Sequence, residues 1–186
     1  MEYDGSNFWG WQIQKKGRTV QGEIQKALEK LLKEKIKLFG AGRTDTGVHA
    51  LGQVANFKTS SKLETEKFLR ALNNLLPKDV VIKEVEEVDL DFNARFKAKS
   101  RVYRYKIYLG KTAVLRKLMW EVFQPLDIKK MKQGLRVIKG IHNFSNFGIK
   151  NNDEHNYRCE ILKTKCEENG NEITLEIEAN RFLRGM

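Results

Sequence analysis

Apolar side chains recur every three to four residues in three segments of the chain, the spacing of one helix face. The first segment follows Thr19, a residue type that favours helix N-caps. The second starts near Thr65 and stops before Pro77, and the third begins near Asp127. The pattern predicts three helices, with apolar faces formed by Val20, Ile24, Ala27, Leu28, Leu31 and Leu32, by Phe68, Ala71, Leu72 and Leu75, and by Ile128, Met131, Leu135 and Ile138.

Short apolar runs and two-residue alternation predict strands between these helices. In residues 101–109 the alternation puts Tyr103 and Tyr105 on one face and Arg104 on the other. Asn169-Gly170 lies between the last two runs and is a strong hairpin signal. The predicted strands cover residues 36–39, 54–57, 80–88, 101–109, 159–166 and 173–179.

This order of elements predicts an α+β fold of two similar halves. Each half is expected to be an antiparallel sheet with helices on one face. The chain is basic and polar near residues 97–101, which is where the halves are expected to join. The predicted division is therefore residues 1–98 and residues 99–186.

The net charge of the chain indicates which class of partner it binds. The 186 residues carry a net charge of +11, and a surface that basic attracts polyanions, most commonly nucleic acid. A composition rich in Lys and Glu is also common in heat-adapted proteins, which is an alternative explanation for part of the excess positive charge. Cys159 and Cys166 form neither a CxxC nor a Cys/His cluster. Together with the absence of a signal peptide and of a long apolar run, this predicts a reduced cytoplasmic location and no membrane partner.

The segment from Gly40 to His49, G-A-G-R-T-D-T-G-V-H, carries the most specific chemistry in the chain. It places Asp45 on a glycine-rich loop between two predicted strands, two residues after Arg43. Such a carboxylate is a candidate nucleophile or general base, with the arginine close enough to favour its charged form. A polar surface turn is the alternative interpretation of the same pattern.

Other motif classes fit this segment poorly. Asp45-Thr46-Gly47 matches the D-T-G of aspartic proteases, but those enzymes need two carboxylates that share a proton, and this chain supplies one. The loop lacks the lysine of a phosphate-binding P-loop. The histidines His49, His142 and His155 lack the spacing of a metal site, so no metal is expected.

Aromatic and basic residues alternate in R-V-Y-R-Y-K, from Arg101 to Lys106. A tyrosine in a strand usually faces the core. With arginines on either side, however, Tyr103 is also suited to stack on a base while Arg101 and Arg104 hold phosphates. The aromatic segment from Tyr3 to Gln12 has the same two interpretations, a hydrophobic plug or a stacking rim.

The motif G-R-T-D-T-G-V-H-A-L-G-Q-V resembles the active-site motif of the tRNA pseudouridine synthases of the TruA family. The resemblance extends over essentially the whole chain. It includes Tyr3-Asp4-Gly5-Ser6, Gly10-Trp11-Gln12, Thr19-Val20-Gln21, Asn74-Leu75-Leu76-Pro77, Arg101-Val102-Tyr103-Arg104-Tyr105 and Ala179-Asn180 with Phe182.

The resemblance implies the pseudouridine synthase fold, with an RNA-binding cleft between the halves, and isomerisation of uridine in the tRNA anticodon stem-loop without cofactor or metal. It implies that Asp45 is the catalytic nucleophile. Arg43 is expected to occupy the space of the flipped nucleotide or to hold its phosphate. Tyr103 is expected to stack on the target uracil and to assist proton removal. The partners implied are tRNA and a second copy of the chain in a homodimer.

Compared with the family pattern, the sequence is short at both ends. The family's first strand starts several residues before Tyr3, and an arginine that pairs with the catalytic aspartate lies beyond the equivalent of Met186. The resemblance therefore predicts an incomplete second half, weak tRNA binding and little or no turnover by these 186 residues. A non-catalytic RNA-binding fragment of such an enzyme is the alternative function.

Overall fold

A computed structural model describes residues 1–149 and 156–186. The chain divides into two compact units, Met1–Ala98 and Lys99–Met186. The helices are α1 (Val20–Leu32), α2 (Thr65–Leu75), α3 (Ala94–Lys97) and α4 (Ile128–Val137). The strands are β1 (Glu2–Tyr3), β2 (Phe39–Gly40), β3 (Ala55–Asn56), β4 (Val80–Val81), β5 (Arg101–Leu109), β6 (Trp120–Val122), β7 (Gly140–Asn143), β8 (Arg158–Asn169) and β9 (Glu172–Ala179).

The two longer helices of the first unit follow the predicted pattern. In α1, the Thr19 hydroxyl accepts a hydrogen bond from the Gly22 amide at 3.2 Å, which satisfies one of the unpaired amides of the first turn. The helix ends at Leu32, and the C-cap residue Lys33 adopts a left-handed conformation with φ of 58°. α2 ends one residue before Leu76, ahead of Pro77. Both helices pack their apolar faces into the core of this unit. The buried members are Val20, Ile24, Ala27, Leu28, Phe68 and Leu72, and Leu31, Leu32 and Leu75 are partly buried.

The strands of the first unit are shorter than predicted. β1 pairs with β4, and β2 pairs with β3, in two separate antiparallel pairs of two residues each. Residues 80–88 were expected to form one strand, but the ladder stops after Val81. The amide side chain of Asn73 in α2 accepts from the Ile82 amide and donates to the Ile82 carbonyl, both at 2.9 Å. A side chain therefore replaces the strand partner at that point.

The predicted strand at residues 36–39 is reduced in the same way. Ile36 and Leu38 lie in the core, but only Phe39 and Gly40 join a ladder. Gln21 of α1 is buried and donates its side-chain amide to the Leu38 carbonyl at 2.9 Å. The segment is therefore held by a helix side chain and by burial instead of by a neighbouring strand.

The second unit contains a five-stranded sheet in the order β6-β5-β9-β8-β7. β5 and β6 are parallel, and the other neighbours are antiparallel. The β8–β9 hairpin is confirmed, with its turn one residue later than the Asn-Gly signal suggested. Asn169 is the last residue of β8, and Gly170 takes the first turn position with φ of 58°, as type II′ turns require.

The sheet of the second unit has one apolar face. At one end of that face, α4 contributes Ile128 and Met131 against Ile107 and Ile173. Asp127 caps α4 by accepting a hydrogen bond from the Lys130 amide at 3.0 Å. The expected α+β class with antiparallel pairing is confirmed, although the two units differ in strand content. Among the residues that the structure describes, no helix is both long enough and apolar enough to cross a membrane.

Candidate active site

Asp45 lies on the loop that joins β2 to β3, as the sequence predicted. The Val48 amide donates to the Asp45 carbonyl at 3.2 Å and closes a tight turn. Gly47 is the third residue of that turn and has φ of 78°, a conformation that glycine adopts without strain. The turn presents the side chains of Arg43, Asp45 and Thr46 to solvent.

The aromatic segment near the start of the chain forms hydrogen bonds with the backbone of this loop. The Trp11 amide donates to the Thr44 carbonyl at 3.0 Å, and the Gly47 amide donates to the Phe8 carbonyl at 3.3 Å. The Tyr3 hydroxyl lies 2.7 Å from the Thr44 hydroxyl. Tyr3, Phe8 and Trp11 are buried, so the hydrophobic-plug interpretation is correct for these rings, whereas Trp9 is 56% exposed.

Gly10 allows the closest approach between the two segments. It has φ of 88°, and a Cβ at this position would lie 2.6 Å from the Thr44 carbonyl oxygen and 3.2 Å from the Asp45 carbonyl carbon. Gly5 is in a similar position, because its Cβ would lie 2.0 Å from the Val48 carbonyl oxygen. Only glycine fits at these two contacts. The backbone near Asp45 therefore packs directly against the backbone of Gly10 and Gly5.

The far side of the loop is fixed by a second set of hydrogen bonds. Tyr3 and Ala50 exchange backbone bonds at 2.9 and 3.1 Å. The Gly5 amide lies 3.2 Å from Nδ1 of His49, and the same nitrogen lies 3.0 Å from a carboxylate oxygen of Asp4. His49 therefore links the loop to the start of the chain.

Arg43 and Asp45 share the exposed turn without pairing to each other. Among residues 1–149 and 156–186, neither side chain makes a hydrogen bond or an ion pair. That Arg43 favours the charged form of Asp45 therefore stays a prediction. Both charges face solvent and are available to a bound molecule.

Tyr103 lies on β5 in the second unit. Its ring is 41% exposed and meets Phe182 edge to face, with centroids 4.7 Å apart and planes at 83°. A core position is therefore excluded for this tyrosine. Phe182 was among the residues that carry the family resemblance, but its contact with Tyr103 was not predicted.

The arginines beside Tyr103 are engaged within the sheet. Arg101 donates to the Asn180 carbonyl at 2.9 Å, and Arg104 pairs with Glu176 of β9 at 2.8 Å. The charge of Arg104 is matched by the neighbouring strand, and its role in holding a phosphate stays a prediction. Glu176 stands directly opposite Arg104 in the register, on the face away from Tyr103.

The residues considered for metal binding or disulfides do not form such sites in the described parts of the chain. No group of three or more His, Cys, Asp or Glu side chains there is arranged to hold a metal ion, and His155 lies outside these parts. Cys159 and Cys166 are both free thiols. Burial raises the pKa of the Cys166 thiol above its ordinary value.

The sequence did not predict an ion pair that packs against the aromatic segment. The Arg18 guanidinium donates to both carboxylate oxygens of Asp79, at 2.6 and 2.8 Å, and lies 4.2 Å from the Phe8 ring centroid. The Asp4 amide donates to the Asp79 carbonyl at 3.0 Å. Because these partners are 61 residues apart in sequence, no local pattern could reveal the pair.

A family model described as tRNA pseudouridine synthase matches residues 1–97, which include the whole Asp45 loop and its supports. This chain belongs to the tRNA pseudouridine synthase family. Curated relatives named tRNA pseudouridine synthase A align with the entire chain and with 77% of their own length. They include proteins of Thermoanaerobacter sp. (strain X514), 43% identical, of Acetivibrio thermocellus, 44% identical, and of Dictyoglomus thermophilum, 44% identical. The family resemblance inferred from the motifs is thereby confirmed.

Proposed function

We propose that this chain isomerises uridine to pseudouridine in the anticodon stem-loop of tRNA, using no cofactor or metal. One observation carries the proposal within the family assignment. Asp45 is an exposed carboxylate on a loop whose backbone is fixed on both sides by buried rings and glycine contacts. A reactive group held this way keeps its position when a substrate arrives.

The reaction rearranges bonds without oxidation or an added group. The bond from ribose C1′ to uracil N1 breaks, and a new bond forms between C1′ and uracil C5. The hydrogen on C5 leaves as a proton, and N1 becomes protonated. The chain must therefore supply a group that supports the break and a group that assists removal of the C5 proton.

The proposed roles follow the position of each side chain. Asp45 is the nucleophile, and its attack on either the ribose or the base is consistent with an exposed carboxylate. Arg43, which is exposed on the same turn, holds a phosphate of the target nucleotide or takes the space that the nucleotide leaves. Tyr103 stacks on the target uracil with its exposed ring and assists proton removal.

The proposed partners are tRNA and a second copy of the chain. The net charge of +11 favours a polyanionic substrate. The homodimer rests on the family resemblance, and sedimentation of the protein with and without tRNA tests it. The proposed location is the cytoplasm, where the two free thiols stay reduced.

Tritium release from tRNA labelled at uracil C5 tests the proposed activity. Protein in excess over tRNA is the suitable regime, because slow conversion then accumulates over hours. We expect tritium to appear in water in proportion to pseudouridine formed, and Asp45→Asn protein is the control. Tight tRNA binding with no tritium release would refute isomerisation.

That negative result would favour the second candidate, a non-catalytic RNA-binding protein. One observation supports this alternative: within the described residues, Asp45 has no cationic partner. A carboxylate loses solvation when a base covers it, and without a cationic partner nothing offsets that loss. The two candidate functions therefore both predict RNA binding, and they differ in whether the bound RNA is converted.

A further inference from the structure

The apolar face of β5 has a covered end and an exposed end. Ile107 is 3% exposed because it packs with the α4 residues Ile128 and Met131. Tyr105 and Tyr103 continue the same face, since alternate residues of a strand share a side, yet they are 55% and 41% exposed. The sheet thus leaves two tyrosine rings uncovered, side by side on one strand.

Tyr105 is supported by a second aromatic ring, as Tyr103 is. Trp120 of β6 stands opposite Ile107 in the parallel register and is 57% exposed. Its ring meets the Tyr105 ring edge to face, with centroids 6.3 Å apart and planes at 70°. Edge-to-face contact fixes each ring and leaves part of its π surface open to a ligand.

We propose that Tyr105 and Trp120 form a second base-stacking subsite, which binds a nucleotide neighbouring the uridine held by Tyr103. The proposal rests on the proposed function, because it places Tyr103 at the target base. Residues two apart on a strand are about 6.6 Å apart. That separation is too large for one base to stack fully on both tyrosines, so each ring pair takes its own base.

The charge of the second unit favours RNA over another copy of the chain at this surface. Residues 99–186 contain 18 Lys and Arg and 10 Asp and Glu, so the unit holds +8 of the net charge of +11. A second copy would bring the same positive charge. An RNA strand brings one negative charge per nucleotide together with flat bases, which match exposed aromatic rings in a basic surround.

Binding of an unmodified anticodon stem-loop RNA to the full chain tests the subsite. Tyr105→Leu and Trp120→Leu should each raise Kd about tenfold, whereas Tyr105→Phe should bind like the parent because the ring is kept. Phe123→Leu is the matched control, since Phe123 follows β6 and is 70% exposed but lies outside both ring pairs. Unchanged Kd for both leucine variants would overturn the proposal.

Tryptophan fluorescence gives a second readout that keeps both proposed residues. Trp11 is buried and Trp9 is exposed, so in Trp9→Phe protein Trp120 is the remaining solvent-exposed tryptophan. Adding the stem-loop RNA should quench its emission and protect it from acrylamide. An unchanged signal at saturating RNA would overturn the proposal even if the leucine variants fail to fold.

The outcomes separate this inference from the proposed function. If the parent protein binds RNA and releases tritium, yet Tyr105 and Trp120 affect neither affinity nor fluorescence, only the subsite is wrong. A change in sedimentation for Trp120→Leu with unchanged RNA affinity would assign the surface to a second copy and overturn the subsite. If the parent protein neither binds nor converts tRNA, both proposals fail.

Discussion

The Tyr103 side chain has two parts with separate proposed roles, the aromatic ring and the hydroxyl group. The ring packs on Phe182 and presents its exposed part to a ligand, whereas the hydroxyl is the polar group in the proposed proton removal. Substitutions that remove one part and keep the other therefore distinguish stacking from chemistry.

Tyr103→Phe should bind tRNA like the parent protein and slow the release of tritium, because the ring remains and the hydroxyl is lost. Tyr103→Leu should weaken binding as well, by about 1–3 kcal/mol, since no ring is left to stack on the base. Filter binding and single-turnover tritium release measure the two effects. Equal affinity of the phenylalanine and leucine variants would mean that Tyr103 does not stack on RNA.

At the scale of elements, the Asp45 loop depends on a few close backbone contacts. Gly10 has a positive φ and packs against the backbone of Thr44 and Asp45. A side chain at this position would collide with that backbone, which can shift only if the whole loop shifts. Gly134 is the opposite case: it lies inside α4 and has open space around its missing side chain.

Gly10→Ala should lower the free energy of unfolding by about 2–4 kcal/mol, from backbone strain and the clash with the Thr44 carbonyl. It should also slow conversion, because the Asp45 turn must shift. Gly134→Ala should raise the free energy of unfolding by about 0.5–1 kcal/mol, since alanine favours a helix interior. Denaturant unfolding followed by circular dichroism compares the pair, and a destabilisation by Gly10→Ala no larger than 0.5 kcal/mol would contradict the structure.

The Arg18–Asp79 ion pair makes the stability of the first unit depend on pH in the acid range. The hydrogen bonds from Arg18 lower the pKa of Asp79 in the folded state. A lowered pKa contributes stability above the unfolded value, about 3.9, and that contribution is lost as the pH falls through the folded value. Asp79→Asn should therefore cost about 1–3 kcal/mol at pH 7 and progressively less below pH 5. Urea titrations across that range measure it, and a cost independent of pH would show that the pair does not carry the effect.

At the scale of the whole molecule, positive charge should dominate the affinity for RNA. Arg43 is exposed and has no ion-pair partner within the described residues, whereas Arg104 is matched by Glu176. These two arginines therefore offer a matched comparison between an available charge and an occupied one.

Affinity for tRNA should fall at least about tenfold between 50 and 200 mM salt, because bound phosphates release counterions. Arg43→Gln should reduce the slope of log K against log salt by about one, whereas Arg104→Gln should leave the slope unchanged. Filter binding over a salt series measures the slopes. A slope that changes equally in both variants would show that Arg43 makes no special phosphate contact.

Periodicity predicted the three longer helices and the hairpin because those features depend on neighbours in sequence. Thr19 and Asp127 cap helices through contacts only three residues away. The ends of the short strands could not be predicted, because the side chain that ends β4 comes from Asn73 in another element.

The site shows the same division between local and distant information. The motif identified Asp45, Arg43 and Tyr103 as candidates, because their spacing in sequence is specific. It did not reveal the loop supports: the approach of Gly10 to Thr44 joins segments 34 residues apart, and the Arg18–Asp79 pair spans 61. It placed Arg43 two residues before Asp45, but nearness in sequence does not fix where two exposed side chains point, and the two make no ion pair within the described residues.

Mapping pseudouridine at nucleotide resolution tests whether this chain isomerises uridine and whether Asp45 carries the reaction. Unmodified tRNA is incubated with parent protein, with Asp45→Asn, and with Asp91→Asn, an equal loss of charge at an exposed aspartate of the same unit. We expect new pseudouridine in the anticodon stem-loop with the parent and with Asp91→Asn. With Asp45→Asn the rate should be lower by roughly 10⁴-fold or more, although tRNA still binds. Comparable pseudouridine formation by Asp45→Asn and by the parent protein would show that Asp45 does not carry the reaction.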